Sequence, residues 1–418
     1  MALPRAIPAL ADLTQDIAGP VPVQLLRDWA TGRQDLAAAE TLLDSFRIQG
    51  AVVSSDTSGL SRMMREMDLL EVLSMISRPK EIIYALGREI GGRAIGAWVA
   101  DNSEMFYGET LQLEAVVEAM AEVQARIRER LPIQIGMCIH SGSFYEIGGG
   151  LYGPDADTVE YLAEHCADPG EILLTDTVAR RLNAAAEGSP GGPMTLQPVS
   201  VEDISEQAYA VQWNRRAPWL RENETVYPHG FPPEFYELLR QFSGSEELRR
   251  RIYDQWLREC AVVFLARQRG PGEAGAASLD TMLDDLVINA LMDTLLREPL
   301  AAGGHIAASA GGLAILTFDT AQEGIGFARD IRAKLAENGL PVQVAIDSGP
   351  VLVFRNARGP SGIAGDAVNV ASKLAEDLGV SGSISVSERA FAQMSGIPGA
   401  DRFELTLSGI TLRGVFLS

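Results

Sequence analysis

The stretch GDAVNVASKLAEDLGVSGSISVSE, residues 365 to 388, contains the pattern that decides the fold. Asn369 and Lys373 stand four residues apart, so on a helix both side chains lie on one face and can contact one ligand. The alternative is a solvated polar face, because polar pairs with this spacing are common on exposed helices. The two interpretations differ in what they require of the rest of the chain.

A second copy of this stretch lies upstream, where residues 153 to 176 read GPDADTVEYLAEHCADPGEILLTD and align with it without a gap. The match continues towards the N terminus in three further pairs of segments: 133–142 with 342–349, 91–106 with 303–318, and 51–59 with 261–269. An internal repeat of this length predicts two homologous domains in tandem.

The composition fits a soluble chain and restricts its partners. The chain has 418 residues, of which 46% are hydrophobic and 22% are charged, and its formal net charge is -21. This length suits two domains that each bury a core. Binding to nucleic acid or to an anionic membrane surface needs a basic footprint, which the charge opposes. We therefore expect a small molecule or another protein as partner.

The sequence shows no pattern typical of secretion, membrane insertion, zinc binding or a catalytic triad. The three cysteines (Cys138, Cys166 and Cys260) lack CxxC spacing, the N-terminal apolar run is interrupted by Pro and Asp, and no apolar run reaches membrane-spanning length. We predict a cytoplasmic protein without membrane insertion. Four histidines show no zinc spacing and no Ser-His-Asp arrangement, and His140 has the character of a structural residue.

The order of apolar runs predicts the architecture of each repeat. A β-branched strand, a long amphipathic helix, two strands, a second helix and a further strand form a βαββαβ unit, which is an α+β, ferredoxin-like sheet with helices on one face. The expected divisions are a helical N-terminal extension at 1–44, a first domain at 45–215, a helical connector at 216–255 and a second domain at 256–418. The connector is rich in aromatics, which predicts that it packs.

These motifs resemble those of the class III adenylate and guanylate cyclases. GDAVNVASK resembles the family pattern GDxVNxAxR, GSISVSE resembles GxIxVSE, and IHSG at 139–142 matches the strand before them. The resemblance covers roughly residues 45–213 and 256–418. It implies two domains that pair head to tail, here as a pseudo-dimer within one chain, with a purine nucleoside triphosphate between them. The implied product is the 3′,5′-cyclic monophosphate, with pyrophosphate released.

The resemblance also implies ligands for two divalent ions, Mg²⁺ or Mn²⁺. Asp56 and Asp101 of the first repeat fall at the family's two metal positions, and the turn Thr57-Ser58-Gly59 falls where backbone N–H groups contact phosphate. The structural alternatives are an N-cap for Asp56 and a hairpin turn for Asp101.

The second repeat has the complementary half of the site. It has Ala266 and Leu313 where the metal aspartates would stand, but it keeps Asn369 and, in place of the family's Arg, Lys373. The first repeat has two other residues at the latter positions, Asp157 and Tyr161. The resemblance therefore implies a single composite groove, in which the amide faces the ribose and the amine faces the reacting phosphate.

Several departures from the family pattern leave two functions open. The purine-facing positions are Ser309 and Gly362, the positions of basic β- and γ-phosphate ligands are Gly136 and Ser383, and Lys373 lacks the planar fork of arginine. One hypothesis is a weak nucleotide cyclase in signal transduction. The other is a catalytically inactive pseudo-cyclase that senses nucleotide or serves as a protein-interaction scaffold. A regulatory protein is a further candidate partner in both.

Overall fold

The computed structural model of the protein describes most of both repeats and the segment between them. The described residues are 21–98, 102–186, 194–201, 206–223, 225–267, 278–297, 304–310, 312–354, 362–378, 383–394, 401–407 and 410–417.

The first domain follows two short N-terminal helices, α1 (Val23–Thr31) and α2 (Leu36–Leu43). Its strands are β1 (Arg47–Thr57), β2 (Arg93–Ala94), β3 (Ser103–Gly108), β4 (Ile135–Ile147), β5 (Gly150–Tyr152), β6 (Ile172–Thr175), β7 (Met194–Val199) and β8 (Ala208–Trp213). Its helices are α3 (Leu60–Glu66), α4 (Leu69–Glu89), α5 (Leu113–Arg130), α6 (Pro154–Tyr161) and α7 (Asp176–Ala186).

The second domain follows two connector helices, α8 (Pro233–Gln241) and α9 (Glu246–Trp256). Its strands are β9 (Leu257–Arg267), β10 (His305–Ala310), β11 (Leu313–Phe318), β12 (Val342–Phe354), β13 (Gly362–Ala364), β14 (Ile384–Ser387), β15 (Asp401–Leu407) and β16 (Ile410–Leu417). Its helices are α10 (Leu279–Arg297), α11 (Ala321–Glu337), α12 (Asp366–Glu376) and α13 (Glu388–Ala392).

The two sheets have the same strand order. In the first it is β2-β3-β1-β4-β6-β8-β7, with β5 paired to β4, and in the second it is β10-β11-β9-β12-β14-β16-β15, with β13 paired to β12. The central β1–β4 and β9–β12 pairs are antiparallel, whereas β4–β6 and β12–β14 are parallel across α6 and α12. Each sheet is thus the predicted βαββαβ core extended by antiparallel strands, and the α+β tandem fold is confirmed.

Helices cover both faces of each sheet, so the expectation of helices on one face is wrong. In β1, Val53 belongs to the core formed with α4 and α5, while the adjacent Val52 belongs to the core formed with α6. In β9, Val263 and Val262 divide in the same way between α11 and α12. Because successive side chains point to opposite faces of a strand, an unbroken apolar run such as AVVF indicates a strand buried on both sides.

The N-terminal helices pack on α10 of the second domain, in a cluster that also includes the end of β4 of the first domain. Trp29 of α1 is fully buried in a cluster with Leu283 of α10, and its Nε1 donates a hydrogen bond to Asp284 Oδ1 at 2.8 Å. Tyr145 and Ile147, at the end of β4, enter the same cluster. The end of β4 and the N-terminal helices therefore both contact the long helix of the opposite domain.

The connector helices make the reciprocal contact with the first domain. Phe354, at the end of β12, packs against Phe235 of α8 with ring centroids 4.5 Å apart, within a core that includes α4. The hydroxyl of Tyr236 in α8 donates to Glu81 of α4 at 2.9 Å. Each domain is thus preceded by a helical pair that packs on its neighbour's long helix. This arrangement confirms the predicted intramolecular pseudo-dimer.

Candidate functional site

Asp56 lies near the end of β1, half-buried and opposite Gly136 of β4. The alternation of side chains puts it on the same face as Val52, which is the face covered by α6. The following helix, α3, begins after Gly59, which is its N-cap residue with a positive φ of 81°. Asp56 is therefore not an N-cap, and one alternative to its predicted metal role is removed.

The turn after Asp56 has one backbone donor already engaged. The Ser58 N–H donates to the carbonyl of Gln134 at 3.3 Å, Thr57 is buried, and Gly59 is exposed. The N–H of Ser58 is thus committed to a neighbouring segment of the first domain in this conformation. A phosphate contact by Thr57, Ser58 and Gly59 stays a prediction, and it must depend chiefly on groups other than the Ser58 N–H.

Asp101 lies outside the described residues, but both sides of its hairpin are described. Ser103 pairs with Ser55 of β1, and their buried hydroxyl oxygens are 2.6 Å apart. On the other side, the Trp98 N–H donates to the carbonyl of Pro228 in the connector at 2.7 Å. The hairpin is therefore tied to the end of β1 that carries Asp56, while the metal role of Asp101 itself stays a prediction.

The equivalent hairpin of the second domain shows that the sequence alignment is shifted by one residue. Tyr107 pairs with Ala51 of β1, and Phe318 pairs with Ala261 of β9. Because Ala51 and Ala261 are equivalent in the two repeats, Tyr107 and Phe318 are equivalent too. The sequence alignment matches Phe318 with Phe106 instead. Position 101 therefore corresponds to Gly312 and not to Leu313, which is already paired within the β10–β11 ladder. Neither residue provides a carboxylate.

Asn369 and Lys373 lie on α12, and both are half-buried. The helix buries Ala371 and Leu374 against the second sheet, while Asn369 and Lys373 lie off this fully buried stripe. Lys373 Nζ is 4.0 Å from Asp377 Oδ2, one turn further along the chain. The pair thus shares a face, as the spacing predicted, and that face is not fully solvated.

The two domains contact each other beside two of the predicted site segments. Helix α3, which directly follows the Asp56 segment, contacts α12 of the second domain. Partial desolvation, together with the negative charges of Asp377 and Glu164, raises the pKa of Glu376 at the end of α12. Glu164 and Glu376 are equivalent residues of the two repeats. Such a pair of equivalent residues is expected beside the pseudo-two-fold axis of the two domains.

The two predicted purine-facing residues lie on strands that contact each other, but the side chain of Ser309 already has a hydrogen-bond partner. Strand β10, which carries Ser309, contacts β13, which carries Gly362. The hydroxyl of Ser309 donates a short hydrogen bond to Asp293 Oδ1 of α10. A side chain built at Gly362 would come 3.1 Å from the ring of Phe354. The purine-facing role of both residues stays a prediction.

The described residues supply few metal ligands by themselves. Among them, no group of three or more His, Cys, Asp or Glu side chains converges on one point. Mg²⁺ commonly uses one or two carboxylates together with substrate phosphates and water, so Asp56 and the predicted Asp101 fit this chemistry. None of the described helices combines the length and the apolar character that crossing a bilayer requires.

Sequence reasoning missed a buried polar cluster beside α12. Asp347 of β12 is fully buried and binds Arg389 of α13, which also binds Asp366, the first residue of α12. The signal was present in the repeat, because Asp347 stands where the first repeat has His140. That difference puts a charge at a buried position, which requires a partner.

The chain is similar to solved structures of class III cyclases. A class III adenylyl cyclase-like ATP-binding protein from Pseudomonas aeruginosa is 12% identical over 84% of this chain and 85% of its own, with a TM-score of 0.49. The adenylyl cyclase CyaB from P. aeruginosa is 16% identical over 41% of this chain and 96% of its own, with a TM-score of 0.35.

The guanylyl cyclase Cya2 is 16% identical over 44% of this chain and 98% of its own, with a TM-score of 0.32. The sequence matches no protein-family model and no curated protein. These likenesses concern the architecture and not the chemistry. In its fold, the chain resembles the class III adenylyl and guanylyl cyclases.

Proposed function

We propose that the chain binds a purine nucleoside triphosphate with divalent ions in one composite groove and converts it slowly to the 3′,5′-cyclic monophosphate and pyrophosphate. The observation that supports this most directly is the contact between α3 and α12 across the domain interface. It joins the segment that carries Asp56 to the helix that carries Asn369 and Lys373. A function in cyclic-nucleotide signalling follows from this activity.

Each half of the groove has a distinct task in this proposal. Asp56 and Asp101 hold Mg²⁺ or Mn²⁺, which neutralises the phosphates and favours loss of the ribose 3′-hydroxyl proton. Asn369 hydrogen-bonds the ribose, and the ammonium of Lys373 faces the charge that develops on the α-phosphate. Because lysine is a point charge without the fork of arginine, its contact with a phosphoryl group is less directional. Slow turnover is the expected consequence.

The pseudo-two-fold axis creates a second groove that lacks the metal half. There, Ala266 and Gly312 replace the carboxylates, and Asp157 and Tyr161 replace the amide and the amine. An aspartate facing a triphosphate without a metal ion repels it. We therefore propose that one nucleotide binds per chain.

Two contacts favour a second candidate, a pseudo-cyclase that binds nucleotide without turnover. Lys373 lies within ion-pair distance of Asp377, and Ser309 is bound to Asp293, so both side chains have partners inside the second domain. If these contacts persist with nucleotide bound, the groove acts as a sensor or as a scaffold whose surface depends on nucleotide.

The first experiment is calorimetry with ATP and GTP, in the presence of Mg²⁺ or Mn²⁺ and in their absence. We expect one site per chain, dependence on the divalent ion, and loss of that dependence in Asp56→Asn. The matched control is Asp157→Asn in the second groove, which should bind as the wild type does. Binding that is indifferent to both the ion and Asp56→Asn would reject the proposed groove.

The second experiment measures cyclic nucleotide formed by the wild type, Asp101→Asn and Lys373→Arg. A cyclase loses its product in Asp101→Asn and gains rate in Lys373→Arg, since a stabilising donor of this kind is typically worth on the order of 10² to 10³ in rate. Nucleotide binding without product in the wild type and in the arginine variant would select the sensor instead.

A further inference from the structure

Asp347 is the centre of a buried polar cluster in the second domain. It lies on β12 directly before Ser348-Gly349 and is fully buried. Its carboxylate accepts hydrogen bonds from Arg389 Nε at 2.7 and 2.9 Å and from the Ser348 N–H at 2.8 Å. Short contacts come from Arg389 Nη2 and from the Ser387 hydroxyl. A buried carboxylate requires such full pairing, so the position of Arg389 is closely determined.

The remaining terminal nitrogen of Arg389 reaches the helix that carries the predicted site residues. Arg389 Nη1 lies 2.8 Å from Asp366 Oδ2, and Asp366 is the first residue of α12. The planar guanidinium therefore spans a gap between a buried strand and the start of the helix. Its fixed fork suits this task, because one edge can bind each carboxylate. Asn369 follows Asp366 by about one helical turn and Lys373 by about two.

The first domain fastens the equivalent helix to the equivalent strand with different residues. His140 of β4 lies 2.9 Å from Thr175 Oγ1 through Nδ1 and 3.3 Å from Asp155 Oδ1 through Nε2. Asp155, the second residue of α6, also accepts the Ser143 N–H at 2.7 Å. In the second repeat, Asp347 replaces His140, Ala367 replaces Asp155, and Arg389 replaces Thr177. The residues at these three positions differ between the repeats, although both repeats connect the helix to the central strand.

We propose that Arg389 is a positioning residue, which holds the start of α12 on the sheet and thereby places Asn369 and Lys373 against the Asp56 half of the groove. The proposal rests on the proposed nucleotide groove for its functional consequence. The connection between Arg389 and α12 is testable without nucleotide.

Hydrogen exchange and calorimetry test it on the full chain. Asp366→Asn removes the charge from the contact with Arg389, which leaves at most a weaker neutral hydrogen bond, and it keeps Asp347 paired, so the variant should fold. We expect faster exchange of the α12 amides (366–376), no change in α6 (154–161), and nucleotide binding weakened on the order of tenfold, the scale at which outer groups typically affect a ligand site. Arg389→Lys should fall between Asp366→Asn and the wild type. Unchanged α12 exchange in Asp366→Asn would overturn the proposal.

A rescue separates positioning from general stability. Arg389→Thr should show the same α12 exchange defect. Adding Asp347→His, Ala367→Asp and Pro350→Ser imports the contacts used by the first domain, because Pro350 stands where Ser143 supplies the N–H that Asp155 accepts. We expect this fourfold variant to recover α12 protection and, if the groove binds nucleotide, most of the affinity. Recovery of thermal stability without recovery of α12 protection would overturn the proposal. If no form binds nucleotide, the proposed function fails, while the exchange results still decide the role of Arg389.

Discussion

The two domains connect a helix to the central strand in different ways beside the Ser-Gly pair of that strand, Ser141-Gly142 in the first domain and Ser348-Gly349 in the second. In the first domain, His140 binds Asp155, whose carboxyl group is partly exposed, so solvent can replace a lost partner. In the second domain, Asp347 is fully buried and depends on Arg389. The same helix-to-sheet connection can therefore depend on a partly exposed contact, in which water can replace a partner, or on a buried carboxylate that requires its arginine. The buried pair of Asp347 and Arg389 is the one connected to α12, the helix that carries Asn369 and Lys373.

The comparison is broken most severely by removing the basic partner in each domain. In Arg389→Ala, the fully buried Asp347 keeps its charge without its main partner, so we expect a loss of about 3 to 5 kcal/mol in the free energy of unfolding. His140→Ala removes contacts that water can partly replace and should cost about 1 to 2 kcal/mol. Urea titration measures both. Equal losses would show that the two connections do not differ in kind.

A second contrast lies between α5 of the first domain, whose Glu122 binds Arg216 of the connector, and the equivalent helix α11 of the second domain. Glu122 of α5 is buried and binds Arg216 of the connector and Arg126. Although burial opposes it, hydrogen bonds from these arginines lower the pKa of Glu122 from 4.5 to about 2. The equivalent residue of α11, Asp330, is exposed.

Glu122→Gln should therefore destabilise the chain by about 3 kcal/mol, from roughly 1.4 kcal/mol per unit of pKa. Asp330→Asn is the matched control and should change stability by less than about 0.5 kcal/mol. Because the folded pKa is lowered, this contribution is complete above pH 4.5 and is lost as the pH falls towards 2. Unfolding curves at pH 7 and pH 3 check both points, and parallel pH dependence of the wild type and Glu122→Gln would contradict the assignment.

The smallest expected effect sharpens the first comparison at the glycine of each Ser-Gly pair. A Cβ at Gly142 would overlap Asp155 Oδ2 and come within 2.9 Å of His140 Nε2, whereas a Cβ at Gly349 would lie 3.6 Å from the Arg389 guanidinium. Gly142→Ala should cost about 1 to 3 kcal/mol, since it forces the ion pair apart. Gly349→Ala should stay within about 0.5 kcal/mol. Thermal unfolding measures both losses, and the reverse order would contradict the packing described around the two glycines.

Much of the fold was predictable from the sequence because a repeat shows twice what each domain needs. The apolar runs predicted the strands, and the spacing of Asn369 and Lys373 predicted a shared helical face. The assignment of helices to one sheet face failed, because a continuous apolar run such as AVVF is buried on both sides and alternation cannot be seen in it. The one-residue shift at Gly312 escaped because only strand pairing defines a register.

By itself, the sequence determined two homologous α+β domains, the unequal distribution of Asp56, Asn369 and Lys373 between them, and the acidic character of the chain. Only the tertiary structure decided that each helical pair packs on the opposite domain and that Arg389 connects a buried carboxylate to α12. Local patterns record which face of an element is apolar or polar. Contacts between residues far apart in sequence depend on how complete surfaces fit, and no short pattern contains that information.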